Sequence, residues 1–307
     1  MLKYSVVDTQ ERRLSMKRHF LCVECQMKRH FAKAADISDE KDRLAYILEA
    51  MRLLSTDADE PAPVMAARCR ELEDRYLGMT ERYARIKKKY NALLLDMEDD
   101  ISRRIEASND PVRTALLYSR AGNYIDFGSE HAFEPQMLND ILDRTAGEAL
   151  DEDTYARFIA DMDKANNLLF LCDNCGEIVL DKLLLIQLHR RWPDAKLTVM
   201  VRGAPILNDV TREDAAQVGL DKLFEVVDNG TATPGTYIPS LPAETLALLN
   251  SADVIVSKGQ ANIECLGGCG LNVYYLLLCK CTHFSNIFSV ERYTGMFINE
   301  SDAGKLL

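Results

Sequence analysis

Three clusters of polar residues in the second half of the chain have the composition of a site for a phosphate and a hard cation. They are Asp173-Asn174-Cys175-Gly176-Glu177, Arg202-Gly203-Ala204-Pro205 with Asn208-Asp209-Val210-Thr211, and Ser257-Lys258-Gly259-Gln260-Ala261-Asn262-Ile263-Glu264. Carboxylate and amide oxygens are the ligands that Mg²⁺ and Mn²⁺ prefer, and such ions keep positions open for water and phosphate. Asp173, Asn174 and Asp209 are therefore the candidate metal ligands.

The same clusters contain groups suited to an anion. Lys258 could neutralise phosphate oxygens as a point charge, and Arg202 could bind them through two nitrogens at once. Gly176 and Gly259 lie at the entries of predicted helices, where a residue without a side chain lets backbone N–H groups approach an anion. A metal and nearby cations stabilise the charge that develops in phosphoryl transfer, and Glu177 is a candidate for proton transfer.

Each of these residues also has a structural interpretation. An Asp-Asn pair at a strand end is commonly a turn or a helix cap, and Asp209 could cap the helix predicted near Thr211. Lys258-Gly259 could form an ordinary connection between a strand and a helix, and Glu177 could interact only with a helix dipole. Three such clusters at corresponding positions favour a functional site.

The clusters follow strands in an alternating pattern that begins after Asn167. The apolar pattern predicts strands over 168–171, 196–201, 223–227, 253–256 and 273–278, and helices over 176–191, 211–218, 242–250 and 260–266. Such alternation predicts right-handed βαβ units on a parallel sheet, and ligands bind beyond the carboxyl ends of its strands. The three clusters should therefore meet at one edge of the sheet.

The first half of the chain has helical periodicity instead. Apolar residues recur at helical spacing over 10–33, 39–55, 62–76, 80–104, 135–144 and 151–164, and Asp110-Pro111 predicts the start of a helix that ends near Arg120. We expect two domains: a helical domain over 1–165 and an α/β domain with the metal site over 166–307.

The motifs DNCGE (173–177), NDVT (208–211) and KGQANIE (258–264) resemble the DUF89 family of metal-dependent phosphatases. This family includes the damage-control phosphatases and acidic residue methyltransferase 1. The segment AGNYIDFG (121–128) is similar to an element in the helical half of that family, and Cys22-x-x-Cys25 is similar to its bacterial and archaeal branch. The resemblance covers residues 20–285, and KGQANIE is its most specific motif.

The resemblance implies a helical domain packed on a Rossmann-like three-layer α/β/α domain with a mostly parallel sheet. It implies one divalent metal (Mn²⁺, Co²⁺, Ni²⁺ or Mg²⁺), a phosphate contact from Lys258, and substrate contacts from the helical half through Asn123 and Asp126. Gly259 and Asn262 belong to the substrate-binding set, together with Arg202. Methyl transfer is not carried over, because no glycine-rich loop with an acidic partner indicates an S-adenosylmethionine site.

We therefore expect a divalent-metal-dependent phosphomonoesterase that acts on small phosphorylated metabolites, such as sugar phosphates or phosphopantetheine-like compounds, in metabolite damage control. The alternative is a non-catalytic, metal-stabilised binding or sensor protein. Either Asp173 attacks phosphorus or the metal activates a water, and the sequence leaves both open. A haloacid-dehalogenase phosphatase is disfavoured because Cys175 stands where that class needs a second aspartate.

Composition excludes several other classes. The 307 residues contain 37 Lys and Arg against 48 Asp and Glu, a net charge of −11 that disfavours nucleic-acid binding. The longest apolar stretches fall short of the roughly 18 residues that a membrane span needs. Nine cysteines without an export signal indicate reduced thiols, so we expect a cytoplasmic protein; Cys22 and Cys25 could still bind metal. The sequence leaves the oligomeric state unknown.

Overall fold

The computed structural model describes residues 16–55, 59–124 and 135–307, and those before residue 165 form helices. The bounds are α1 (Phe20–Ala34), α2 (Glu40–Leu54), α3 (Ala62–Arg68), α4 (Arg70–Leu77), α5 (Met79–Glu106), α6 (Pro111–Ala121), a 3₁₀ turn (Gly122–Tyr124), α7 (Pro135–Ala146) and α8 (Glu152–Met162). The single helix predicted over 62–76 is two helices. The amide of Cys69 donates to the carbonyl of Ala66 at 3.1 Å, a three-residue spacing that interrupts the α-helical ladder.

The remaining residues alternate between strands and helices. The strands are β1 (Asn167–Leu171), β2 (Lys196–Val201), β3 (Glu225–Asp228), β4 (Val254–Lys258), β5 (Val273–Leu278) and β6 (Gly295–Asn299). The helices are α9 (Glu177–Arg191), α10 (Arg212–Gln217), α11 (Ala243–Ser251), α12 (Gln260–Leu266), α13 (Thr282–Phe288) and α14 (Glu300–Ala303). The described residues form one six-stranded sheet in the order β3-β2-β1-β4-β5-β6, parallel except for β6. The predicted fold class is confirmed.

The sheet is buried on both faces because its strands are apolar at consecutive positions. Successive strand residues point to opposite faces. Leu168 and Phe170 of β1 therefore join the core formed with α5, α6 and α9, while Leu169 and Leu171 join the core formed with α11, α12 and α13. The sheet is thus the middle layer of three.

The strand order places the polar clusters at a crevice. The chain passes from β1 to β2 on one side and returns to β4 on the other, so Leu171 pairs with Met200 and with Ser257. A ligand site is expected where the strand order reverses in this way, just beyond the carboxyl ends of the strands. Among the helices of the described ranges, none combines the length and apolar character that a membrane crossing requires.

Candidate active site

The loops that follow β1 and β2 are joined through their backbones. The amide of Val210 donates to the carbonyl of Asp173 at 2.9 Å, and Asn174 forms an isolated bridge with Asp209. These contacts bring the side chains of the three predicted metal ligands to the same end of the sheet. The Asn174 amide nitrogen then donates to Asp173 Oδ2 at 2.6 Å.

Asp173 is buried against the loop that follows β4. Gly259 begins that loop with φ of 76° and ψ of 167°, a region of backbone conformation that is essentially restricted to glycine. A Cβ atom at this position would lie 1.9 Å from Asp173 Oδ2 and 2.3 Å from its Cγ. Gly259 therefore provides the space that the Asp173 carboxylate occupies.

Arg202 lies between the two aspartates. Its side chain is 1% exposed, its Nε donates to Asp209 Oδ2 at 2.7 Å, and its Nη2 lies 4.0 Å from Asp173 Oδ1. Within the described part of the chain, neither Nη1 nor Nη2 has a hydrogen-bond partner. A buried guanidinium with unmet donors is costly, and an anion with several oxygens would satisfy them.

Glu177 and Lys258 form a buried ion pair deeper in the site, and neither side chain is accessible to solvent. The Lys258 ammonium also donates to Asp181 Oδ1 at 2.6 Å and to the carbonyl of Ser119 at 3.0 Å. The Asn123 amide nitrogen lies 2.6 Å from both carboxylate oxygens of Glu177. The helical half thus reaches the site, as the Asn123 prediction requires, while all three ammonium donors of Lys258 are directed at protein oxygens.

Asn262, another predicted substrate contact, connects parts of the fold through its side-chain amide. The side-chain nitrogen of Asn262 donates to the carbonyls of Lys258 at 2.7 Å and Cys172 at 3.2 Å, and its oxygen accepts from Thr236 at 2.9 Å. This buried amide joins β1, β4 and the loop after β3. Asp126 lies outside the described residues.

Burial and like charges disfavour the ionised carboxylates of the site. Burial first, then Glu177 and Asp209, raise the pKa of Asp173 to about 8 against the opposing effects of Arg202 and Lys280. Burial also raises the pKa of Asp209, although the Arg202 guanidinium opposes the shift. Carboxylates in this situation bind a proton or a cation favourably.

The donor set fits a hard divalent cation. Asp173 and Asp209 supply carboxylate oxygens and Asn174 supplies an amide oxygen, which suits an ion that retains water and phosphate. In the described ranges, His, Cys, Asp and Glu side chains form no group of three or more that could hold a metal. A site here would therefore depend on the amide and on ligands from outside the protein.

The two cysteines near the start of the chain lie in different environments, because Cys22 is partly buried and Cys25 is exposed. Cys22 lies on α1 beside the cluster formed by Leu54, Met65 and Cys69, and burial raises its pKa to about 11. Burial therefore disfavours the thiolate form of Cys22 that a metal would bind, and a metal role for Cys22 and Cys25 stays a prediction.

Sequence reasoning missed several polar residues that complete the site. Asp181 lies four residues after Glu177 on the same face of α9 and is fully buried. Asn91 on α5 accepts a hydrogen bond of 2.7 Å from the amide of Gly176. An acidic residue that follows the apolar segment Ile178–Leu180, one turn after Glu177, was a detectable signal, whereas Asn91 had none because it lies 85 residues from its partner.

Comparison with known proteins places the chain near one group. The family model described as damage-control phosphatase ARMT1-like domain matches residues 19–295. A damage-control phosphatase of Archaeoglobus fulgidus is 32% identical over 272 residues, which cover 87% of this chain and 93% of that protein. The damage-control phosphatase PH1575 of Pyrococcus horikoshii is 30% identical over 273 residues, covering 87% and 92%.

A solved structure shows the same architecture. The crystal structure of a DUF89 family protein from Pyrococcus horikoshii superposes with a TM-score of 0.79 at 25% sequence identity. The match covers 93% of this chain and 99% of the crystallised one.

Proposed function

The chain belongs to the family of the damage-control phosphatase ARMT1-like domain, and on that premise we propose that it is a phosphatase that depends on a divalent metal. Its substrates would be small phosphorylated metabolites, such as sugar phosphates or phosphopantetheine-like compounds. Two relatives named damage-control phosphatases support the phosphatase activity. The metal is proposed from the chemistry of the site, and the substrate class is proposed from the family resemblance.

The observation that carries this proposal is the environment of Arg202. Its guanidinium is buried beside two carboxylates and holds Asp209 through Nε, yet Nη1 and Nη2 lack hydrogen-bond partners among the described residues. A phosphate oxygen pair would meet both nitrogens, since the planar guanidinium matches such a pair. The phosphoryl group would then lie next to Asp173, which is 4.0 Å from Nη2.

Asp173, Asn174 and Asp209 would hold the metal, with Mn²⁺, Co²⁺, Ni²⁺ and Mg²⁺ as candidates. When bound, a divalent cation neutralises charge on the phosphoryl oxygens and lowers the pKa of water. Gly259 keeps the Asp173 carboxylate in place by leaving it room. Whether Asp173 attacks phosphorus or only binds the cation is left open by this arrangement.

Glu177 would accept or donate the proton that is transferred in the reaction. Asn123 holds both its oxygens, Lys258 neutralises its charge, and Oε2 lies 3.2 Å from the amide nitrogen of Asn174. Lys258 itself would act as the buried counterion of Glu177 instead of as a direct phosphate ligand, because its donors are already directed at protein oxygens.

The experiment measures hydrolysis of p-nitrophenyl phosphate by protein that has been treated with a chelator, before and after the addition of each metal. We expect activity to return with metal in the wild type and to remain absent in Asp173→Asn. Asp194→Asn is the matched control, because Asp194 is exposed and precedes β2, at the end of the strand that is farther from the site. Full activity in Asp173→Asn would refute the assignment.

A panel of phosphorylated metabolites would then identify the substrate. Metal-dependent thermal stabilisation without turnover on the whole panel would instead favour the non-catalytic binding or sensor protein.

A further inference from the structure

Two hydrogen-bonded contacts join α6 and the 3₁₀ turn that follows it to α9. The hydroxyl of Ser119 on α6 donates to Asp181 Oδ1 at 2.6 Å, and the Asn123 amide in the 3₁₀ turn donates to Glu177. Glu177 and Asp181 are one turn apart on α9. The helices approach closely here, because a Cβ atom on Gly122 would lie 2.8 Å from Glu177 Cγ. These contacts therefore fix the positions of the Glu177 and Asp181 carboxylates.

Lys258 lies between those two carboxylates. Its ammonium contacts Glu177 Oε1 on one side and Asp181 Oδ1 on the other, and its third donor is directed at the Ser119 carbonyl. All three charged side chains are inaccessible to solvent, so two negative charges share one positive charge in a dry environment. The net charge of this group is −1.

Asp181 is costly where it lies. Its Oδ2 has no hydrogen-bond partner in the described part of the chain, and burial raises its pKa to about 6. Buried ion networks are often replaced by apolar side chains at no cost in stability. Stability alone therefore gives no reason for this carboxylate, and its position below Glu177 keeps it out of reach of a substrate.

We propose that Asp181, held by Ser119, is a positioning residue that fixes the Lys258 ammonium and through it the Glu177 carboxylate. This inference rests on the proposed phosphatase function. Contacts continue from Glu177 to the amide of Asn174 at 3.2 Å and from there to Asp173 Oδ2 at 2.6 Å. Without Asp181, Lys258 has Glu177 as its sole carboxylate partner within the group and draws it away from Asn174.

The first measurement is independent of turnover. Uniformly ¹⁵N-labelled protein should show a slowly exchanging ammonium signal from Lys258, identified by its absence in Lys258→Met. Asp181→Asn should lose or shift this signal, because an amide nitrogen can then face the ammonium. Glu300→Gln is the matched control, since Glu300 is a buried carboxylate that accepts a hydrogen bond of 2.8 Å from Tyr275 away from the site. It should keep the signal.

The second measurement is steady-state kinetics on p-nitrophenyl phosphate with saturating metal. Asp181→Asn should lower kcat by about 10- to 100-fold and leave KM within about twofold, which is typical for residues that orient a metal-site group. Ser119→Ala removes only the hydrogen bond that Ser119 donates to Asp181, and it should lower kcat by a smaller factor. In a Lys258→Met background, Asp181→Asn should cause no further loss, because the two residues act as one unit.

The inference is overturned if Asp181→Asn keeps both the ammonium signal and the wild-type kcat, or if its loss in kcat is the same with and without Lys258. An equal loss in Glu300→Gln would also overturn it. If wild-type protein hydrolyses no phosphate ester, the proposed function fails, and the ammonium signal alone decides whether Asp181 positions Lys258.

Discussion

Replacing Gly259 by alanine tests the geometry that holds Asp173. The backbone conformation at this position costs a residue with a side chain about 1–3 kcal/mol. The added Cβ would lie 1.9 Å from Asp173 Oδ2, closer than real Cβ contacts, so the carboxylate must retreat by roughly 1 Å. A misplacement of about 1 Å in a reactive group can cost about 100-fold in rate. We expect Gly259→Ala to lose at least that much activity and most of its Mn²⁺ affinity.

Gly219→Ala provides the control for backbone strain. Gly219 also has a positive φ of 71°, yet a Cβ there would meet no heavy atom of the described chain within 4 Å. This variant should lose about 1–2 kcal/mol of unfolding free energy in urea and keep its Mn²⁺ affinity, measured by titration calorimetry. The reasoning is refuted if Gly259→Ala binds Mn²⁺ as tightly as Gly219→Ala does.

Three further changes have expected outcomes. Arg202→Lys keeps the charge but loses the planar pair of donors, so KM should rise about 10- to 100-fold; an unchanged KM would exclude phosphate binding there. Burial raises the pKa of the Glu264 carboxyl group from 4.5 to about 7, although the hydrogen bond from Gln260 opposes the shift. As pH rises, the unfolded chain therefore loses the Glu264 proton before the folded protein does, and the free energy of unfolding falls between pH 4.5 and 7. The melting temperature of Glu264→Gln should therefore rise relative to wild type between pH 4.5 and 7, and a constant difference would contradict this. Asp110→Ala removes the cap on Arg113 N and should lower the unfolding free energy by about 1–2 kcal/mol in urea, whereas no change would show that the cap is dispensable.

Much of the fold could be predicted because buried parallel strands are continuous apolar runs. The run Leu168–Leu171 predicted β1, and the segments over 196–201 and 273–278 match β2 and β5 in full. Strand β6 was missed, because its antiparallel pairing with β5 at the edge of the sheet is a tertiary contact. The division into domains at residue 165 stays a prediction.

The proximity of the candidate site residues was predictable where sheet topology alone determines it. Residues that follow neighbouring parallel strands must meet, so the proximity of Asp173, Asp209 and Gly259 could be expected. Which residue Lys258 contacts depends on how α6 packs on α9, and no local pattern encodes that. Asp181 acquires its role only through this packing.

The most direct test of the central claim is anomalous diffraction from crystals soaked in Mn²⁺. We expect a single peak within about 2.3 Å of oxygens from both Asp173 and Asp209. A peak bonded to neither side chain, or none at the loops after β1 and β2, would contradict it.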